Sequence, residues 1–317
     1  MGNAPDKPHI LVIKLSAFGD FIQALGPMAA IRRHHKDAHI TLLTTKAFKD
    51  FGQQCGYFDD IWIDHRPSLI NIGGWLSLRK SLIGKNFSRI YDLQNNDRTA
   101  FYFRLFPHKK RPEWVGAAKG ASHSNQSPER TSGHAYEGHV QTLGLAGIKD
   151  IDVDDLRWIK SDLSGFNLHA PYVLLVPGSA PQHLQKRWAS EHYAALGRRL
   201  LDDGFQPVLL GTQADRAVTQ KIIASCPNAL DLTGKTSLFQ IAALAHDAQA
   251  CVGNDTGPMH MIGPTGCPCL VLFSGHSNPK RHAPKGNHVV TLQKENLEEL
   301  KVETVWRNLE SCLAQAA

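Results

Sequence analysis

Cysteine is scarce in this chain, with six residues in 317, and no two of them form a CxxC pair. That spacing disfavours a disulfide framework and a structural zinc site. Cys267 and Cys269 flank a proline inside an apolar run, which is the setting of a buried strand rather than of a metal ligand. No uninterrupted apolar run approaches the ~18 residues that a membrane-spanning helix needs. The opening residues, Met1 to Pro8, lack the apolar core of a signal peptide, so a cytoplasmic protein with a few disordered leading residues is expected. Low-complexity tracts and short-period repeats are missing as well. Hydrophobic residues make up 42% and charged residues 20%. This is ordinary for a soluble globular protein and too apolar for disorder.

Acidic residues fall short of basic ones, and unevenly. The net charge is +6; residues 1–165 hold 22 Lys and Arg against 17 Asp and Glu, whereas residues 166–317 hold 13 against 12. Within the first half, residues 98–134 carry seven basic and two acidic side chains. Such a patch attracts polyanions without identifying which, so nucleic acid, an anionic membrane face and a phosphorylated substrate all stay open. Nucleic acid is nevertheless not the expected partner.

Short apolar runs alternate with amphipathic stretches. In the first half, His9–Lys14, His39–Thr44, Ile61–Asp64 and Arg89–Leu93 read as strands, with Phe21–His34 and Trp75–Ile83 as helices. In the second half the strands are Tyr172–Val176, Gln206–Leu210, Ala229–Leu232, Ala250–Gly253, Cys269–Phe273 and Val289–Leu292. Helices are expected at Ser190–Asp202, near Asp215–Ala224, at Leu238–His246, near Pro258, and at Leu297–Leu313, the last packing back across the domains. Repeated βα units imply an α/β fold with mostly parallel, doubly wound sheets. The break falls in the Asp-, Pro- and Gly-rich stretch 149–171, where Ile151–Trp158 reads as a crossover strand. The expected domains are therefore 1–165 and 166–317, two Rossmann-like halves with a ligand cleft between the carboxyl ends of their strands. Residues 117–134 form a long polar segment, expected to be a mobile loop. It is either an inert excursion or an acceptor-contacting flap.

Three motifs sit where chemistry is expected. Lys14-Leu-Ser-Ala-Phe-Gly-Asp20 follows the first strand and opens the first helix. Gly19 permits a tight turn, and Asp20 is either an N-cap or a general base taking a proton from a hydroxyl. Val176 to Trp188 follows the first strand of the second half. There Ser179 is a phosphate donor, and Lys186 and Arg187 neutralise phosphate charge. Val252-Gly-Asn-Asp-Thr-Gly-Pro-Met-His260 ends a strand in a turn and starts a helix with Pro258. Thr256, Gly257 and the amides after them form a diphosphate cradle, Asp255 orients the loop, and His260 lies one turn on. The segment contains neither GxxxxGK[ST] nor GxGxxG, which argues against a P-loop enzyme and a simple dinucleotide dehydrogenase. Asp152-Val-Asp154 matches the DxD of metal-dependent sugar transferases, but it lies in the linker and reads as surface charge.

Taken in this order, the motifs resemble glycosyltransferase family 9, the ADP-heptose:lipopolysaccharide heptosyltransferases. The resemblance spans nearly the whole chain and is carried by ILVIKLSAFGDFIQALGPMAAIRR, by YDLQNN (Tyr91–Asn96), by VPGSA with the KRWASEHYAALGRRLLDDGFQPVLLGTQADR stretch, and above all by LTGKTSLFQIAALAHDAQACVGNDTGPMHMIGPTGCPCLVLFSG. It implies a GT-B fold, an acceptor-binding N-terminal domain and a nucleotide-sugar-binding C-terminal domain. It aligns Asp20 with the catalytic base, Lys186 with a phosphate-contacting lysine, and Asp255, Thr256, Gly257 and His260 with the diphosphate loop. Asp215 falls where the family tends to carry a Glu on the ribose, and Ser237 and Leu238 lie near the adenine. The implied reaction is inverting transfer of heptose from ADP-heptose to an inner-core lipopolysaccharide acceptor, with no metal or cofactor. An anionic glycolipid acceptor gives the basic half a partner, for which Arg66, Arg98, Lys109, Lys110, Arg111, Lys119 and Arg130 are candidates. Peripheral contact with the cytoplasmic membrane face follows from the same charge. The alternatives are transfer of another nucleotide-activated sugar to a cell-envelope glycan, a nucleotide-sugar epimerase, and a non-catalytic polyanion-binding protein.

Overall fold

The structure is a computed structural model that describes residues 7–314; the expected disordered leader falls on residues outside that range. The chain divides into two compact units between Val153 and Asp154.

The first unit runs β1 (His9–Ile13), α1 (Phe18–His34), β2 (His39–Thr44), α2 (Lys49–Gln54), β3 (Asp60–Ile63), α3 (Ile72–Gly84), β4 (Arg89–Asp92), α4 (Asp97–Leu105), β5 (Glu113–Gly116), β6 (His123–Ser124), α5 (Glu129–Ser132) and α6 (Ala135–Gly144). Its parallel sheet has the order β3-β2-β1-β4-β5-β6. β1 is apolar from Ile10 to Ile13 and those four residues are buried, as a central strand covered on both faces must be. α1 starts at Phe18, earlier than its apolar periodicity suggests. It ends in Arg32, Arg33 and His34, whose charge suits a helix C-terminus. Asn71 and Asn96 cap α3 and α4 by accepting the Gly74 and Thr99 amides. The segment 117–134 is not one continuous loop: β6 pairs with β5, and α5 packs on α6.

The second unit runs β7 (Tyr172–Val176), α7 (Ser190–Asp202), β8 (Gln206–Leu209), α8 (Arg216–Ser225), β9 (Leu230–Asp231), α9 (Leu238–Asp247), β10 (Ala250–Asn254), α10 (Gly257–Ile262), β11 (Cys269–Ser274), α11 (Pro279–His282), β12 (Val289–Lys294) and α12 (Val302–Ala314). Its sheet, also parallel, has the order β12-β11-β10-β7-β8-β9. Ser237 and Gln240 form a reciprocal capping box at the start of α9. The expected crossover strand over Ile151–Trp158 is absent. That stretch is irregular because Asp154 folds it locally, accepting the Leu156 amide and the Trp158 indole N–H. Residues 154–165 group with the second unit, through Trp158 against Phe239 and the Gln240 amide on Asp162 O. α12 packs against α7, β10 and β11, burying Val305, Trp306 and Leu309 in that unit's own core.

The two sheets share one topology. In each, strand order reverses beside the first strand, between β1 and β4 and again between β7 and β10. Connections leave such a switch point in opposite directions and open a crevice at the carboxyl ends of the strands. The loops that carry chemistry in the sequence follow β1, β4, β7 and β10.

Candidate active site

In the second unit the switch point is held by Asn254, the last residue of β10 and fully buried. Its Oδ1 accepts the Trp188 amide and the Tyr193 hydroxyl, each at 3.1 Å. Its Nδ2 donates to Pro177 O at 2.8 Å and Gly178 O at 3.2 Å. One side chain thus ties the loop after β7 to the end of β10. The sequence reading placed Asn254 in a turn and missed this role. The available signal was a polar residue closing an apolar strand, where burial demands a full set of partners.

Lys186 and Asp255 meet across this junction, Nζ to Oδ2 at 2.7 Å, with side chains 18% and 9% exposed. Ser277, from the loop after β11, donates to the same carboxylate oxygen. Asp255 therefore holds an ammonium in place at the crevice. Thr256 is the N-cap of α10, Pro258 stands in its first turn, and Thr256, Gly257 and His260 are half-buried.

Arg187 turns the other way. Its Nε donates to Ser179 Oγ at 2.9 Å, and its Nη2 to Ser179 O at 3.0 Å and to Asp215 Oδ1 at 3.1 Å. Ser179 Oγ donates to His183 O at 2.9 Å. Asp215 Oδ2 accepts the Thr212 amide and hydroxyl at 3.0 and 2.8 Å. Arg187, Ser179 and Asp215 thus spend their polar atoms on one another and on backbone, separately from the Lys186–Asp255 pair. Ser237 is occupied as the cap of α9, and Leu238 follows it half-buried.

In the first unit the loop after β1 is fastened to the loop after β4. Gln94 Oε1 accepts the amides of Leu15 and Ser16 at 2.8 and 2.9 Å. Asp92, buried, accepts the Gln94 and Asn95 amides. Burial pushes its carboxyl up to about 6, against those hydrogen bonds and the nearby Lys14. Burial lowers the Lys14 amine to about 8, against the pull of Asp20 and Asp92, and Nζ donates to Leu93 O at 3.2 Å. Asp20 is not the N-cap of α1, which is Ala17. It stands at the third helical position, half-buried, with Oδ2 3.4 Å from the Ala17 amide. That contact is long and leaves most of the carboxylate's accepting capacity open.

The basic candidates separate into two groups. Arg66 reaches toward Ser16 Oγ at 3.5 Å, while Asp64 accepts the Arg66 amide and the Tyr102 hydroxyl. Arg98 donates twice to Pro67 O at 3.3 Å and lies over the Trp75 ring. Both arginines are therefore near the loop after β1. A cavity of about 500 Å³ adjoins them, lined by Asp64, His65, Pro67 and Asn71 among others. Lys109, Lys110 and Arg111 precede β5 and so lie at the amino ends of the strands, opposite the loop that carries Asp20. The first two are exposed and Arg111 packs on Phe103. Lys119 is exposed and Arg130 half-buried in the 117–134 segment. Asp152 is exposed, and with Asp154 engaged as described the DxD forms no paired site.

Two doubly wound parallel sheets, with lysine, carboxylates and a capped short helix at the switch point, define an α/β fold of the GT-B class. Comparison with known proteins gives the family. Residues 75–309 match the model for glycosyltransferase family 9 (heptosyltransferase), and the chain belongs to that family of glycosyltransferases. It is 24% identical over 315 residues to the lipopolysaccharide core heptosyltransferase OpsX of Haemophilus influenzae, covering 90% of this chain and 85% of that protein. It is 36% identical over 236 residues to lipopolysaccharide heptosyltransferase 2 of Escherichia coli, covering 66% of each. Its fold matches that of the E. coli ADP-heptose LPS heptosyltransferase II with a TM-score of 0.76, at 20% identity, over 97% of this chain and 99% of that one.

Proposed function

We propose that this protein is an inverting heptosyltransferase that moves heptose from ADP-heptose onto an anionic lipopolysaccharide core acceptor, with Asp20 as general base. The observation that carries the reading is the Lys186–Asp255 pair at the switch point of a family 9 chain. An anchored positive charge at the carboxyl ends of the strands suits the stabilisation of a leaving diphosphate. The acceptor oxygen bonds to the anomeric carbon on the face opposite the nucleotide, which inverts the configuration. The bond from that carbon to the diphosphate oxygen breaks, and its electron pair leaves with ADP. The acceptor's hydroxyl proton passes to Asp20.

Asp255 does not face the diphosphate in this reading, because like charges repel; it holds Lys186. α10 is short, so its dipole is modest and Lys186 carries most of the neutralisation, helped by the Thr256 and Gly257 amides. In the proposed reaction Lys186 supplies the positive charge and no divalent cation is used. Arg187 supports the site through Ser179 and Asp215 rather than meeting phosphate directly. Asp215, paired with Arg187 and accepting the Thr212 amide and hydroxyl from the turn before it, orders the loop on which the ribose would rest. Arg66 and Arg98 are proposed to meet the acceptor's acidic groups, and the acceptor's lipid places the enzyme at a membrane. Among the described residues no helix is long and apolar enough to cross one.

The test is Asp20→Asn, assayed with ADP-heptose and a core acceptor. Transfer is expected to fall by about 10²-fold or more while ADP binding stays as in the parent. A variant that transfers at the normal rate removes Asp20 from the mechanism. NMR of donor and protein without acceptor should show no isomerisation of the sugar; turnover there makes the protein an epimerase.

A further inference from the structure

Five of the eight large apolar side chains that stand exposed among the described residues fall on one element pair, the lead into α3 with α4. Leu69 and Ile70 are each 90% exposed, Ile72 71% and Leu76 60%. Ile72 and Leu76 lie one helical turn apart on α3, and Leu69 and Ile70 stand in the turn that leads into it. Phe101 of α4 extends the patch, 43% exposed, with its ring edge-on to Trp75 at 4.9 Å. Soluble proteins rarely leave a contiguous apolar patch of this kind without a partner.

Charge identifies that partner. One turn beyond Leu76 the stripe becomes Arg79 and Lys80, both exposed. Arg79 Nε donates to Leu105 O at 3.0 Å, which holds α3 against the end of α4. No Asp or Glu occurs between Asp64 and Asp92, or between Asp97 and Glu113. An apolar tip whose α3 side is bordered by cations, with one exposed carboxylate, Asp97, a turn before Phe101, suits an anionic bilayer, in which aliphatic side chains enter the headgroup boundary and Lys and Arg meet lipid phosphates. A protein partner would require complementary acidic side chains, and this chain offers no acidic face beside the patch for a second copy to match.

We propose that Leu69, Ile70, Ile72 and Leu76 insert into an anionic phospholipid surface, with Arg79 and Lys80 on its headgroups. The tip follows β3 at the carboxyl ends of the strands, the edge on which Asp20 also lies. Docking there brings the proposed base to the level of a lipid-anchored acceptor. The surface rests on the functional reading only for that last consequence.

The experiment is co-sedimentation of the full chain with vesicles, free of donor and acceptor, made of phosphatidylcholine alone or with phosphatidylglycerol. The parent protein is expected to bind only the phosphatidylglycerol vesicles and to be released by salt. Leu69→Ser with Ile70→Ser, at positions too exposed to affect folding, lowers partitioning roughly tenfold or more. Arg79→Gln with Lys80→Gln lowers it by about fivefold per charge at low salt. Absence of parent binding, or unchanged binding by the serine variant, overturns the proposal. So does a dimer in sedimentation velocity that the serine variant dissolves without any vesicle binding, since the patch then belongs to a second copy. Transfer to a lipid-free acceptor is measured alongside. If the serine variant transfers normally and the parent ignores vesicles, the docking surface fails and the transferase reading stands.

Discussion

Asn254→Asp exchanges one NH2 group for an oxygen and leaves volume and shape unchanged, so its effect isolates polarity at the donor-side switch point. The native Nδ2 donates to Pro177 O and Gly178 O from a fully buried position. In the variant both contacts become oxygen against oxygen, and a carboxylate sits with no cation among its contacts. Two lost hydrogen bonds cost about 1 kcal/mol each, and leaving the buried carbonyls unpaired costs about 1–3 kcal/mol more. The expected destabilisation near neutral pH is therefore about 3–5 kcal/mol, comparable to breaking a buried ion pair. Burial raises the new carboxyl's pKa in the folded state. The part of the penalty that comes from the charge is absent below the unfolded value of about 4 and grows as pH rises toward the higher folded value, whereas a protonated carboxyl, with one O–H for two carbonyls, still leaves one hydrogen bond lost. The assay is urea unfolding across pH, with amide exchange read by mass spectrometry over residues 172–178 and 184–190. Exchange in both segments should accelerate, because Asn254 joins them, and ADP affinity should fall with it. A variant within about 1 kcal/mol of the parent near neutral pH, with unchanged exchange, would falsify the assignment of Asn254 as the tie between the two loops.

Three further outcomes are expected. Lys186→Gln should weaken ADP binding by about 10–100-fold through loss of a charge-assisted contact. Asp255→Asn should weaken it less, since the ammonium survives unanchored, and calorimetry giving equal affinity for all three proteins contradicts the pairing. The raised Asp92 carboxyl contributes stability that is present below its unfolded value of about 4 and lost as pH rises through about 6. Relative to Asp92→Asn, the parent should lose roughly 2–3 kcal/mol over that window in urea titrations; a constant difference refutes the burial argument. Gly253→Ala should cost about 1–3 kcal/mol, because a Cβ there runs into Met259 Sδ and comes within 2.8 Å of Val176 Cβ; an unshifted melting temperature counts against that packing.

Much of this protein is written locally. The apolar runs of β1, β2, β7, β10 and β11 are legible because central parallel strands are buried on both faces and need no alternation. The βα alternation gives the fold class, and the glycine, aspartate and proline at 253–258 mark a strand-to-helix turn with no tertiary information. The elements not legible were β5, β6, α2, α4, α5, α6 and α11. β5 and β6 are short, lie toward one edge of the sheet and draw their stability from pairing, and α4 begins at an Asn cap amid polar residues. Ile151–Trp158 reads as a strand, yet Asp154 gives its backbone local partners that a ladder would otherwise supply.

Side-chain pairing was decided only by the tertiary structure. Lys186 and Asp255 lie 69 residues apart and Arg187 and Asp215 lie 28 apart. No local rule says that neighbouring Lys186 and Arg187 take different carboxylates. The choice follows from strand order, which sets β10 beside β7 on one side and β8 on the other. Lys109 to Arg111 look like companions of Arg98 in sequence, but α4 carries the chain to the opposite end of the sheet before they occur. The residues therefore determined which units form and where chain reversals fall, since those depend on neighbours within a few positions. Which charges meet depended on the order of the strands, because long-range partners exist only once the sheet has assembled.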